Sequence, residues 1–220
     1  MQLGKKSNLG DSTSLEPAVK QLEALFVHGM FLSGHEGFGL AWGMARHAIR
    51  LRRFCYHSRT EDPEAVADRL AERLRAQPAL HLVAHSFGGL LALAAIARSP
   101  EWQGRAVLLG SPLRGSGVAR RTRQLPGGSF VLGKAADWLT RGMEDPAVPP
   151  GRVAIIVGTR NIGIGRFLSP ELEAGDGIVS LDETGLEGAA ESLRYDTIHI
   201  GLVYNRRVIN QVARFMRGAA

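Results

Sequence analysis

From about residue 20 onward, short apolar runs alternate with longer stretches whose apolar residues recur at helical spacing. Six runs read as strands, near 24–28, 53–57, 80–84, 105–109, 153–157 and 193–196. Three of them, Ala24–Val27, Ala106–Leu109 and Val153–Val157, are four or five unbroken apolar residues, the pattern of strands covered on both faces. Between them, Leu40 to Leu51 carries Trp42, Met44, Ala45, Ala48 and Ile49 at the spacing of an amphipathic helix. Pro63, favoured in a first helical turn, opens a second, with Val66, Leu70, Ala71 and Leu74 on one face. Further helices are expected at Leu90–Ala97, around Phe130–Arg141 and at Val203–Met216. Strands alternating with helices predict an α/β fold, a mostly parallel sheet of about six strands flanked by helices in a minimal three-layer sandwich. Residues 1–20 read as a flexible arm and 21–220 as one domain, in which 113–150 is an Arg/Gly-rich loop with one helix, a candidate small flap.

The chain is organised around Leu80-His81-Leu82-Val83-Ala84-His85-Ser86-Phe87-Gly88-Gly89-Leu90. A buried strand turns sharply into a helix with Ser86 at the apex. Such a turn strains the serine backbone, so the residues two before and two after it must be small, and Ala84 and Gly88 are. The first glycine of G-x-S-x-G is alanine here, a departure of one methyl group. A serine hydroxyl needs an adjacent base, and the base needs a third group to orient it and stabilise its cation. In an enzyme built on a strand–turn–helix nucleophile the chain order is Ser, then Asp or Glu, then His. His199 is the only histidine after residue 85, and it follows the last strand. Asp176, between Gly175 and Gly177, is the first choice for the acid, with Asp182 and Glu183 as alternatives; Asp196 stands too close to His199 in sequence. Backbone N–H groups for an oxyanion are expected from Phe87 and from Met30, in the His28-Gly29-Met30 loop after the first strand. Phe31, Leu32, Phe38 and Leu113 are candidates to line an acyl pocket, with Phe31 and Leu113 first among them.

Composition narrows the picture. At 220 residues, with 45% hydrophobic and 22% charged residues, the chain has enough material for a full core. No apolar run reaches the length of a membrane span, and the polar start carries no signal-like h-region, which together point to the cytoplasm. The single Cys55 excludes an internal disulfide and reads as a buried, inert thiol. Histidine spacing suggests no metal site, and neither a Walker A loop nor a complete dinucleotide fingerprint is present, so no cofactor is expected. The net charge is +6, with arginines dense at 46–59 and 114–123. That charge suits peripheral contact with an anionic membrane; nucleic acid is not expected as a partner, because no recognition motif or aromatic platform accompanies it. Oligomeric state is not legible.

These segments resemble the α/β-hydrolase superfamily, and within it small bacterial lipases and esterases, including the minimal lidless lipases of bacilli. The matching runs are Ala84 to Gly89, His28-Gly29-Met30, Gly110 to Ser116, Gly175 to Val179 and His199-Ile200-Gly201-Leu202. The resemblance implies a serine carboxylic-ester hydrolase with Ser86 as nucleophile, Asp176 as acid and His199 as base. Its oxyanion donors would be Met30 and Phe87, and its substrate a small-molecule or lipid ester. The same superfamily implies as alternatives an acyltransferase, a thioesterase or a non-catalytic binding module at anionic membranes.

Overall fold

The computed structural model describes residues 20–143, 146, 148–168 and 174–218; the expected arm at 1–20 lies almost wholly outside them. Six parallel strands form one sheet in the order β2-β1-β3-β4-β5-β6. They are β1 (Leu22–Val27), β2 (Ile49–Phe54), β3 (His81–His85), β4 (Ala106–Leu109), β5 (Val153–Gly158) and β6 (Glu191–Tyr195). Every residue of β3, β4 and β5 is buried, as unbroken apolar runs require when helices cover both faces.

The period of two then sorts the core into layers. Leu82, Ala84, Leu108, Ile155 and Val157 face α2 (Pro63–Ala76) and α3 (Phe87–Ala97). Phe26, Val83, Val107, Leu109 and Ile156 face α1 (Gly37–Ala45) and α8 (Arg206–Met216). Helix α2 begins as its sequence suggests. Asp62 accepts from Glu64 N–H at 3.1 Å, and Pro63 fills the first helical position. Helix α3 is apolar on all sides, and Phe87 to Ile96 are all buried, as an all-round apolar helix must be. Helix α2 packs on it, and Ala119, Leu132, Ala136 and Leu139 of α4 (Gly117–Gln124), α5 (Gly128–Leu132) and α6 (Ala136–Arg141) join the same core cluster. A one-turn α7 (Gly165–Leu168) follows β5. Among the described residues no helix is long and apolar enough to cross a membrane.

Five sequence expectations shift. The helix expected to Leu51 ends at Ala45, and the next strand starts at Ile49, not 53. Ile49 and Leu51 fit a helical period, but they also alternate with Arg50 and Arg52, and the edge-strand period of two prevails. Ala48, at φ 51°, makes the reversal and accepts from Leu22 N–H at 3.0 Å. Cys55 consequently lies beyond the strand and is exposed, not buried. The stretch after Gly115, read as loop, forms α4, because Ser116 caps it by accepting from Ala119 N–H at 3.2 Å. The helix expected around 130–141 is broken at Gly133 (φ 58°), where a Cβ would lie 2.2 Å from Arg59 O. The last helix starts at Arg206, after Asn205 caps it, and not at Val203.

The strand order reverses between β1 and β3. Ligands of open parallel sheets sit outside the carboxyl ends at such a reversal. The loops after β1 and β3 carry His28–Met30 and Ser86.

Candidate active site

Ser86 sits at the junction of β3 and α3 with φ 56° and ψ -125°, a region a residue with a Cβ occupies only when its surroundings over-determine it. Three contacts do so. Ser86 N–H donates to Leu109 O at 2.8 Å, tying the turn to the neighbouring strand. A Cβ on Gly88 would stand 2.3 Å from Val27 O, so α3 can close against β1 only with glycine there. A Cβ on Gly89 would strike Ser111 Oγ at 2.0 Å. Ala84, in place of the usual glycine, is fully buried in the α2/α3 layer. As α3 begins at Phe87, the N–H groups of its first turn have no acceptor within the helix.

His199 Nδ1–H donates to Asp176 Oδ2 at 2.7 Å. The other carboxylate oxygen of Asp176 accepts from Ile178 N–H at 3.0 Å and Val179 N–H at 2.8 Å. His199 N–H donates to Asp176 O at 2.9 Å, so side chain and backbone both lock the pair. Asp176 is 1% exposed, and its loop is closed by an antiparallel bridge between Gly175 and Ser180. Gly110 makes room for this arrangement: at φ 56°, a Cβ would lie 2.8 Å from Asp176 Oδ2 and 3.1 Å from His199 Nδ1. Of the other acids, Asp182 is exposed, and Asp196 is held by Arg160 at 2.8 and 3.1 Å. Glu183 is buried without touching His199. Its carboxylate accepts from Gly117 N–H and, at 3.0 Å, from Ser180 N–H, and its carbonyl accepts from Arg114 N–H at 2.9 Å. Burial raises the Glu183 pKa against the pull of those N–H groups.

His85, beside the serine in sequence, joins the cluster, although sequence reasoning gave it no role. Its ring lies 4.7 Å from that of His199, and its Nε2–H donates to His199 O at 3.2 Å. Burial first, and the neighbouring His199 second, depress its pKa to about 3, so the ring is neutral. Its Nδ1 is buried without a partner. His85 thus ties the loop carrying His199 to the strand carrying Ser86. Among the described residues no hydrogen bond joins Ser86 Oγ to His199.

The loop after β1 is built on His28, which is buried and stacked on Tyr56 with ring centroids 4.1 Å apart. Tyr56 O–H donates to His28 O at 2.6 Å, and burial lowers the His28 pKa. Gly29 lies close to the serine: a Cβ there would be 3.0 Å from Ser86 Cβ. Met30 packs partly buried on the core, while Phe31, at φ 60°, gives its N–H to Ser58 Oγ at 3.1 Å. Phe31 and Leu32 border an open cleft of about 400 Å³ with Tyr56 and Ser58. Phe31 and Phe38 are largely exposed, and Leu113 lies in the core.

The family model for the alpha/beta hydrolase family matches residues 24–182, and the chain belongs to that family. Among solved structures it is similar to the mature lipase BlEst2 of Bacillus licheniformis, with TM-score 0.72 and 19% identity over 94% of this chain and 95% of that one. It is also similar to a meta-cleavage product hydrolase of Pseudomonas fluorescens (TM-score 0.62, 15% identity, 91% and 92% of the two chains). A thioesterase of prodiginine biosynthesis in Streptomyces coelicolor shares the fold as well (TM-score 0.57, 13% identity, 91% and 87%). No curated protein sequence matches the chain.

Proposed function

We propose that this chain is a serine carboxylic-ester hydrolase in which Ser86, His199 and Asp176 form the catalytic triad. The observation that carries the reading is the 2.7 Å bond from His199 Nδ1 to a buried Asp176, in a loop strapped by His85 to the strained Ser86. Asp176 fixes the tautomer with the proton on Nδ1, which leaves Nε2 as the base. His199 takes the Ser86 proton as Oγ attacks the ester carbonyl. The tetrahedral oxyanion is held by the N–H groups of Phe87 and Met30, and the alcohol leaves with the proton from His199. Water, deprotonated by the same imidazole, then attacks the acyl-enzyme and releases the acid with Ser86 restored.

Labelling by a fluorophosphonate probe tests the assignment. Wild type should be labelled, while Ser86→Ala and His199→Ala should not. Undiminished labelling of Ser86→Ala would refute Ser86 as nucleophile. A folded wild type that never labels would instead favour a hydrolase-fold binding module. Adding alcohols or thiols to a labelled-ester assay separates hydrolysis from acyl transfer, since a transferase diverts the acyl group to them.

A further inference from the structure

We infer that a belt of exposed aromatic rings, each backed by an arginine, docks this protein on anionic phospholipid bilayers. Trp42 is 71% exposed, and the Arg46 guanidinium stands 5.4 Å from its ring centroid. One turn earlier on α1, Phe38 is 60% exposed and lies under Arg53 at 5.5 Å. Phe130, on α5, is 79% exposed and lies under Arg59 at 5.1 Å. These pairs are continuous in space. The His35 ring sits 5.5 Å from Phe38 and its Nδ1 is 2.7 Å from Ser33 Oγ. Two residues before Ser33, Phe31 is anchored to Ser58, the neighbour of Arg59. The belt therefore runs from α1 across the loop after β1 to α5, passing next to Met30.

Two features select the occupant. None of Arg46, Arg53 and Arg59 forms an ion pair with a carboxylate among the described residues, although eight other arginines do. No carboxylate neutralises these charges; Arg59 gives one N–H to Phe130 O at 3.0 Å, which holds it against that ring. Trp42 protrudes from α1 and Phe130 from α5, while Phe38 and Arg53 border a shallow cleft of about 340 Å³ between them. A ring that enters the headgroup boundary while the guanidinium beside it meets a phosphate uses both halves of each pair. A net charge of +6 adds long-range attraction of the same sign. Phe31 pays a left-handed backbone to present an exposed ring at this belt, beside the proposed oxyanion loop. Docking here turns that loop toward the lipid, which makes esters of membrane amphiphiles the substrate class. Binding itself does not depend on the hydrolase reading, because Ser86→Ala retains the belt.

Sedimentation of the full chain with phosphatidylcholine vesicles, with and without added phosphatidylglycerol, tests the inference. Binding should require the anionic lipid, shift Trp42 emission to the blue, and vanish in about 1 M salt, where the Debye length is about 3 Å. Arg46→Gln with Arg53→Gln should weaken binding roughly thirtyfold, at about a factor of five per arginine. Trp42→Ser with Phe130→Ser should weaken it comparably. Arg73→Gln with Arg214→Gln, an equal loss of charge on exposed positions of α2 and α8, should change it less than threefold. Ser86→Ala should bind as wild type does. Equal losses in the two arginine pairs would overturn the inference in favour of diffuse charge. So would binding indifferent to lipid charge, or a belt that instead mediates self-association in gel filtration without lipid.

Discussion

The loop Gly175–Ser180 and the turn Asp182–Thr184 that follows it each bury one carboxylate, and each carboxylate accepts two backbone N–H groups. Sequence alone makes Asp176 the first choice for the acid and leaves Glu183 among the alternatives. Their difference lies in the third contact. Asp176 has a free oxygen left for His199, and Gly110 keeps the space for it. Glu183 spends both oxygens on N–H groups, one from its own loop and one from the start of α4, with Arg120 at 3.8 Å. A buried carboxylate therefore becomes a candidate catalytic acid when one oxygen is left to a histidine, and a structural clamp when both are consumed by backbone.

Four substitutions sharpen this contrast. Asp176→Asn should keep the fold but lower ester turnover by about 10⁴-fold, because the amide selects the wrong histidine tautomer. Glu183→Gln in the same assay should stay within about tenfold of wild type; a larger loss with an intact fold would mean the two carboxylates share one task. Next in size, Gly110→Ala drives a methyl into the Asp176–His199 bond. A misplacement near 1 Å should cost about a hundredfold in kcat, with thermal stability read in parallel to separate strain from unfolding.

Glu183→Ala acts on the clamp. It strands the Gly117 and Ser180 N–H groups, and denaturant titration should show about 1–3 kcal/mol of destabilisation. The smallest effect is a slope. Because Glu183 has a raised pKa in the folded state, the native protein binds its proton more tightly than the unfolded chain. Stability from this group is then greatest at low pH and falls as pH rises from the unfolded carboxyl value through the raised one. The difference in Tm between wild type and Glu183→Gln, followed with pH, should show that fall in wild type only. A wild type that gained stability relative to the variant over that window would reverse the sign and exclude a raised pKa.

What was legible in the chain was local or ordered. Unbroken apolar runs gave the central strands, and small residues around Ser86 gave the strand–turn–helix junction. The order Ser, acid, His pointed to His199 among seven histidines. What failed to show depended on distant partners. The Arg-rich edge strand β2 fits two periods at once, and only pairing with β1 decides between them. Helix α4 has no apolar stripe, only Ala119 buried, and a first turn held by Glu183 from 66 residues away. The bond from His85 to His199 spans 114 residues. Neither contact leaves a trace in spacing.

The all-apolar α3 has a further consequence, for how the chain is made. The helix leaves the ribosome after α2 but well before Leu113, Leu132, Leu139 and β5, which complete its core cluster. Until those arrive, the part of its Leu and Ala surface that α2, β1 and β3 leave uncovered stands open to other chains. Chains cut short before β5 should therefore aggregate rather than fold, which sedimentation of such truncated chains would show.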